Sequence, residues 1–139
     1  LLECVPNFSE GQEKTVIDKI ADAIRNIKGV RLLDIDPGYH ANRTVMTFAG
    51  EAHLVVEAAF QAIKTAAILI DLSSHKGEHP RIGATDVCPL IPISGISMEE
   101  TIALSKQLAK RVAEELNIPA YLYEHSATTS ERKNLAWLR

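Results

Sequence analysis

Two strand-helix units joined by a hairpin, with no helix between the second and third strands, predict an α+β chain. The spacing of apolar residues alternates between strand-like and helix-like in the order β-α-β-β-α-β-α-β-α. Two capping-box signals open helices, and paired prolines interrupt a late strand. The expected architecture is a ferredoxin-like split βαβ sandwich, its sheet mixed or mainly antiparallel, with helices on one face. A doubly wound parallel sheet is disfavoured, because parallel neighbours need a crossover helix. The 139 residues, 46% of them hydrophobic, suit one domain spanning 1–139.

Residues 1–5 form the first β-like run, closed by Pro6-Asn7. Ser9 and Gln12 have capping-box spacing, so a helix is expected to open there. Val16, Ile17, Ile20, Ala23, Ile24 and Ile27 share one helical face, and Gly29 stops it. Residues 30–35 are the second strand, with Asp36-Pro37-Gly38 as its turn. Residues 44–49 are the third, expected to pair with the second. Residues 51 to about 72 read as a helix offering Leu54, Val55, Ala58, Ala62, Ile63, Ala66 and Ile70 to one side. Residues 87–93 read as a strand, and Pro89 and Pro92, lacking ladder donors, place it at an edge or a bulge. Ser97 and Glu100 form the second capping box, for a helix burying Ile102, Ser105, Leu108, Ala109, Val112 and Leu116 and ending at Asn117. Residues 119–123 are expected as a last strand and 130–138 as a short terminal helix.

Composition narrows the function classes. Fifteen Lys and Arg oppose 18 Asp and Glu, a formal net charge of −3, so no global field selects nucleic acid or an anionic membrane. Small molecules or proteins are the expected partners. Cys4 and Cys88 lie in apolar strand-like contexts without the short spacing of a zinc or redox pair, and are expected as buried free thiols in a cytoplasmic protein. No uncharged run approaches the roughly 18 residues that span a bilayer, and no basic segment precedes an apolar signal core. The chain opens inside a strand and closes just after Leu135, Trp137 and Leu138, which reads as a piece cut from a longer polypeptide.

Three polar loops carry the candidate chemistry: residues 6–11, 34–43 and 75–85. The third is the densest, with His75, Lys76, Glu78, His79 and Arg81 inside seven residues. Gly77 and Pro80 keep it from extending the preceding helix, and Pro80 biases His79 to an extended backbone. A histidine titrates near neutral pH, so His79 suits proton transfer. His75 and His79 at i, i+4 would suit zinc on a helix, but the glycine and proline oppose that helix, and no metal is expected. Arg43 and Arg81 are planar forks suited to carboxylates, Lys76 is a point charge, and Asn7 both donates and accepts. Convergence of these loops on one cleft is expected.

Residues 3–11 (Glu-Cys-Val-Pro-Asn-Phe-Ser-Glu-Gly), 42–45 (Asn-Arg-Thr-Val) and 75–81 (His-Lys-Gly-Glu-His-Pro-Arg), followed by Gly83-Ala84 and residues 86–89 (Asp-Val-Cys-Pro), resemble the N-terminal subdomain of glutamate formiminotransferase, which also begins formiminotransferase-cyclodeaminase. The resemblance runs through essentially the whole chain. It implies one half of a two-subdomain transferase that moves a formimino group from N-formiminoglutamate to N5 of tetrahydrofolate in histidine breakdown. Tetrahydrofolate is then a co-substrate, the substrates lie in a groove between the halves, and the intact protein is a homodimer. The family's catalytic acid-base falls on His79, with Asn7, Asp36, Arg43, Lys76, Glu78 and Arg81 as substrate-binding candidates. Two orienters of the imidazole stay open, Glu78 and Asp36. The alternative expectation is a non-catalytic, stand-alone folate-binding or regulatory module of the same fold.

Overall fold

The alternating pattern of residues 43–50 sets the middle of the sheet. In the computed structural model, which describes residues 1–70 and 83–120, β4 (Arg43–Gly50) buries Thr44, Met46 and Phe48 and leaves Arg43, Val45, Thr47 and Ala49 half-buried. That is the period of a strand with one face in a core. β1 (Leu2–Cys4) and β2 (Asn7–Phe8) lie in line along one side of β4, and β3 (Val30–Gly38) runs along the other. β5 (Thr85–Val87) pairs with β2, and β6 (Leu90–Pro92) with β1. Every one of these ladders is antiparallel. The chain is therefore an α+β fold built on an antiparallel sheet.

Prolines explain the interruptions. Pro6 separates β1 from β2, and Pro89 separates β5 from β6, because neither residue has an N–H to give to a ladder. Their carbonyls still accept, from Met46 N–H at 3.1 Å and Val5 N–H at 3.2 Å, so the neighbouring strands stay joined across both breaks. Among the described residues, the expected edge position and irregularity of the segment from 87 to 93 are both observed.

β3 departs from expectation in an instructive way. The predicted turn at Asp36-Pro37-Gly38 is strand, paired with Val45, Thr44 and Arg43, and the reversal falls at residues 39–42 instead. Pro37 is tolerated because β3 pairs only with β4 among the described residues, leaving an edge where a missing donor costs nothing. The register also slips between Leu32 and Asp34, so that Leu33 bulges out and is 53% exposed. Leu32 opposite Phe48 and Ile35 opposite Met46 then both meet the core. Strict alternation would have turned Ile35 away.

Among the described residues, three helices supply the other layer of the core: α1 (Lys14–Arg25), α2 (Ala52–Leu69) and α3 (Met98–Leu116). α1 buries Ile17, Ile20, Ala21 and Ile24, so Val16 and Ala23 of the predicted stripe are only half-buried. α2 fits between α1 and α3, and its length and apolar composition would also suffice to cross a membrane. Here Val55, Ala58, Ala59, Phe60, Ala62, Ile63 and Ala66 enter the core, whereas Leu54 is half-buried. α3 buries Thr101, Leu104, Leu108 and Val112, a stripe rotated from the expected one, with Ile102, Ser105, Ala109 and Leu116 at its margin.

The two capping signals have opposite fates. Ser97 Oγ accepts from Glu100 N–H at 3.0 Å and Glu100 returns the bond at 3.1 Å, a complete box. Asn117 then ends α3 in the left-handed conformation. Ser9 caps nothing. α1 starts at Lys14, while Ser9 is fully buried and its hydroxyl donates to the Gly83 carbonyl at 2.8 Å. Glu10 does the local work instead, its carboxylate accepting from Gln12 and Glu13 N–H. Residues 119–120, the start of the expected last strand, have no regular structure; the rest of that strand and the helix expected at 130–138 lie outside the described residues.

Candidate functional site

Cross-strand register brings three of the candidate residues onto one face. Asp36 and Asn7 both oppose Val45, from opposite sides of β4, and Asn7 also opposes Val87. Directly opposed residues share a sheet face, so Asp36, Val45, Asn7 and Val87 form one row on the side away from Met46 and Phe48. With strands about 4.8 Å apart, Asp36 and Asn7 are separated by roughly 10 Å. Arg43, two residues before Val45, is on the same face and opposite Gly38, which has no side chain to block it.

The loops around this row are tied together by named bonds. Gly11 N–H donates to Asn42 Oδ1 at 2.9 Å, Thr44 Oγ1 donates to the Glu10 carbonyl at 2.5 Å, and Gln12 Nε2 donates to the Tyr39 carbonyl at 3.0 Å. On the other side Ser9 N–H donates to the Ala84 carbonyl at 2.8 Å, beside the Ser9 hydroxyl bond to Gly83. The loop at 6–11 is thus clamped between the reversal at 39–42 and the end of the third polar loop. Asn42, only 5% exposed, holds φ 52, a left-handed value that asparagine tolerates better than most residues. A Cβ on Gly11 would meet the Gly38 carbonyl oxygen and lie 2.5 Å from the Arg43 nitrogen, so only glycine fits this crossing.

Among the described residues, Arg43 Nη1, in the row, and Thr85 Oγ1, opposite Phe8, are buried without a hydrogen bond. A buried guanidinium nitrogen without an acceptor is costly, and an anionic ligand group would relieve that cost. Thr85 is absent from the sequence-derived set, since a single threonine at the start of a strand carries no signal of its own. Lys76, Glu78, His79 and Arg81 lie outside the described residues, as does His75.

Elsewhere the ionisable groups do structural work. Arg111 on α3 donates to Glu57 of α2 at 2.7 Å and to Glu115 at 3.1 Å, and its guanidinium carbon sits 3.7 Å from the centre of the Phe60 ring. Bonds from Arg111 and Gln61 hold the Glu57 carboxyl below its ordinary value, and Glu57 in turn raises Arg111. Cys4 is fully buried and Cys88 half-buried, both free thiols. Burial, and then the bond to Cys88, pushes the Cys4 thiol well up. The two sulfurs are 3.5 Å apart, although 84 positions separate the residues in sequence.

The architecture thus defines an α+β unit whose antiparallel sheet keeps one face in a core with three helices and carries a row of polar candidates on the other. The chain belongs to the formiminotransferase domain family, N-terminal subdomain, whose family model matches residues 1–139. A formimidoyltransferase-cyclodeaminase of Mus musculus is 55% identical over 139 residues, which is all of this chain and 26% of that protein. Glutamate formimidoyltransferases of Streptococcus pyogenes serotype M1 and Thermoplasma acidophilum are 50% and 46% identical, again over all of this chain and 46% of each. The chain spans less than half the length of these relatives.

Proposed function

We propose that this chain is the N-terminal half of a glutamate formiminotransferase, which moves a formimino group from N-formiminoglutamate to N5 of tetrahydrofolate. The observation that carries the reading is similarity along all 139 residues to proteins named for that transfer. The polar row of Asp36, Asn7 and Arg43 supports it, as does the buried, unpartnered Arg43 nitrogen, which suits a substrate carboxylate. The strand order supports a ferredoxin-like reading of the fold. Counted as one interrupted strand each, β1 with β2 and β5 with β6 give the order β3, β4, β1/β2, β5/β6, with every neighbour antiparallel.

In the proposed reaction the folate N5 attacks the amidine carbon and forms a tetrahedral adduct. The bond from that carbon to the glutamate nitrogen then breaks. One proton must leave the attacking nitrogen and one must reach the departing nitrogen, and a single imidazole at His79 serves both steps. Positioned proton transfer of this kind contributes about 10²–10⁴-fold in rate. Asn7 suits the amidine or a pterin edge, while Arg43, Arg81 and Lys76 suit carboxylates, and Glu78 or Asp36 orients the ring. A second subdomain supplies the opposite wall of the groove, and the intact protein pairs as a homodimer in the cytoplasm.

The test is His79→Ala in the full polypeptide that carries this chain. Turnover is expected to fall at least tenfold with folate affinity little changed. A wild-type rate would overturn the assignment. Saturable binding of a reduced folate by a full polypeptide that shows no transfer would instead establish the binding-module reading.

A further inference from the structure

Cys4 and Cys88 meet where two strands break in register with each other. Cys4 ends β1 two residues before Pro6, and Cys88 follows β5 just before Pro89. Across this joint Val5 N–H donates to the Pro89 carbonyl, and the two Sγ atoms are already 3.5 Å apart. A disulfide needs them at about 2.05 Å, an approach of roughly 1.5 Å. Neither Pro6 nor Pro89 has an N–H to give to a ladder, although their carbonyls still accept from Met46 and Val5 N–H.

We propose that Cys4 and Cys88 form a peroxide-sensitive dithiol, in which half-buried Cys88, the more accessible of the two, reacts first and fully buried Cys4 resolves it to a disulfide. The site goes beyond the transfer chemistry and is independent of it. In the first step the Cys88 thiolate attacks a hydroperoxide oxygen. The S–O bond forms, the O–O bond breaks, sulfur is oxidised, peroxide is reduced, and water leaves after protonation. In the second step Cys4 sulfur attacks the Cys88 sulfenic sulfur; the S–S bond forms, the S–O bond breaks, and the Cys4 proton leaves with the hydroxyl as water. Accessibility sets the order, because Cys4 has no exposed surface through which a peroxide could reach it. Burial also keeps Cys4 a neutral thiol, so closure should quicken as pH rises.

The experiment is hydrogen peroxide titration of the full polypeptide, followed by non-reducing peptide mapping by mass spectrometry. A cross-linked pair of peptides carrying Cys4 and Cys88, released by dithiothreitol, is the expected result. In Cys4→Ser a sulfenic acid should persist at Cys88 and be trapped by dimedone, whereas in Cys88→Ser the Cys4 thiol should stay unmodified at the same dose. Oxidation of Cys88 to sulfinic acid in the wild type while Cys4 remains a free thiol would overturn the proposal. So would a Cys4 that reacts as fast without Cys88. The wild-type map and Cys88→Ser decide the matter even where Cys4→Ser folds poorly.

Discussion

The two faces of the same sheet divide the labour. On one, Leu2, Cys4, Phe8, Met46 and Phe48 have no exposed surface, and on the other Asn7, Arg43, Val45 and Thr47 are half-buried and mostly polar or small. Neighbouring residues of one strand thus serve different ends. The first face contributes burial, at roughly 1.5–3 kcal/mol for each large apolar side chain, and the second leaves donors and acceptors available for a ligand. Stability and chemistry should therefore separate by residue parity along β4.

Phe48→Ala breaks the comparison hardest if the faces are alike. It should cost about 3–5 kcal/mol in urea unfolding, because it empties the centre of the core. Asn42→Ala comes next, at about 2 kcal/mol, since it leaves the buried Gly11 N–H without an acceptor and keeps a left-handed backbone on alanine. Asn42→Asp keeps the acceptor and should recover most of that loss. Arg111→Met, at the outer surface of the helix layer, should cost about 1 kcal/mol through its ion pair and its place over Phe60.

That last pair also has a pH signature. Because Glu57 titrates lower in the folded chain than unfolded, its contribution is present above the unfolded value of about 4.3 and is lost as pH falls through the folded one. Unfolding at pH 7 and pH 3 should show Arg111→Met closing part of the gap between them. The smallest stability effects belong to the second face. Thr47→Ala and Asn7→Ala should each stay within about 0.5 kcal/mol of wild type, while Asn7→Ala in the full polypeptide raises the substrate KM. A large loss of stability at Asn7 would erase the division between the faces.

Ser97 and Ser9 show how far sequence reading reaches. Each is followed three residues later by a residue able to complete a box, and only the first does so. Ser97 is at an exposed helix start with no competitor, whereas Ser9 lies between β2 and the Gly83-Ala84 backbone, and that carbonyl takes its hydroxyl. The third helix stripe slips for a similar reason: α3 packs against both α2 and β6, and which of its residues face them is not set by the periodicity of one helix. Asn7, Asp36 and Arg43 were legible as chemistry from residue type and motif, but their common face was not.

By itself the sequence determined what short-range physics controls: helix and strand periods, the Ser97 box, the Asn117 stop, and the proline interruptions, each decided within a few residues. It also carried the family motifs. Tertiary structure decided what depends on register between distant segments. The Leu33 bulge places Ile35 in the core, Asp36 and Asn7 flank Val45, and Cys4 lies against Cys88, because a one-residue slip of any strand would move its whole set of side chains to the opposite face.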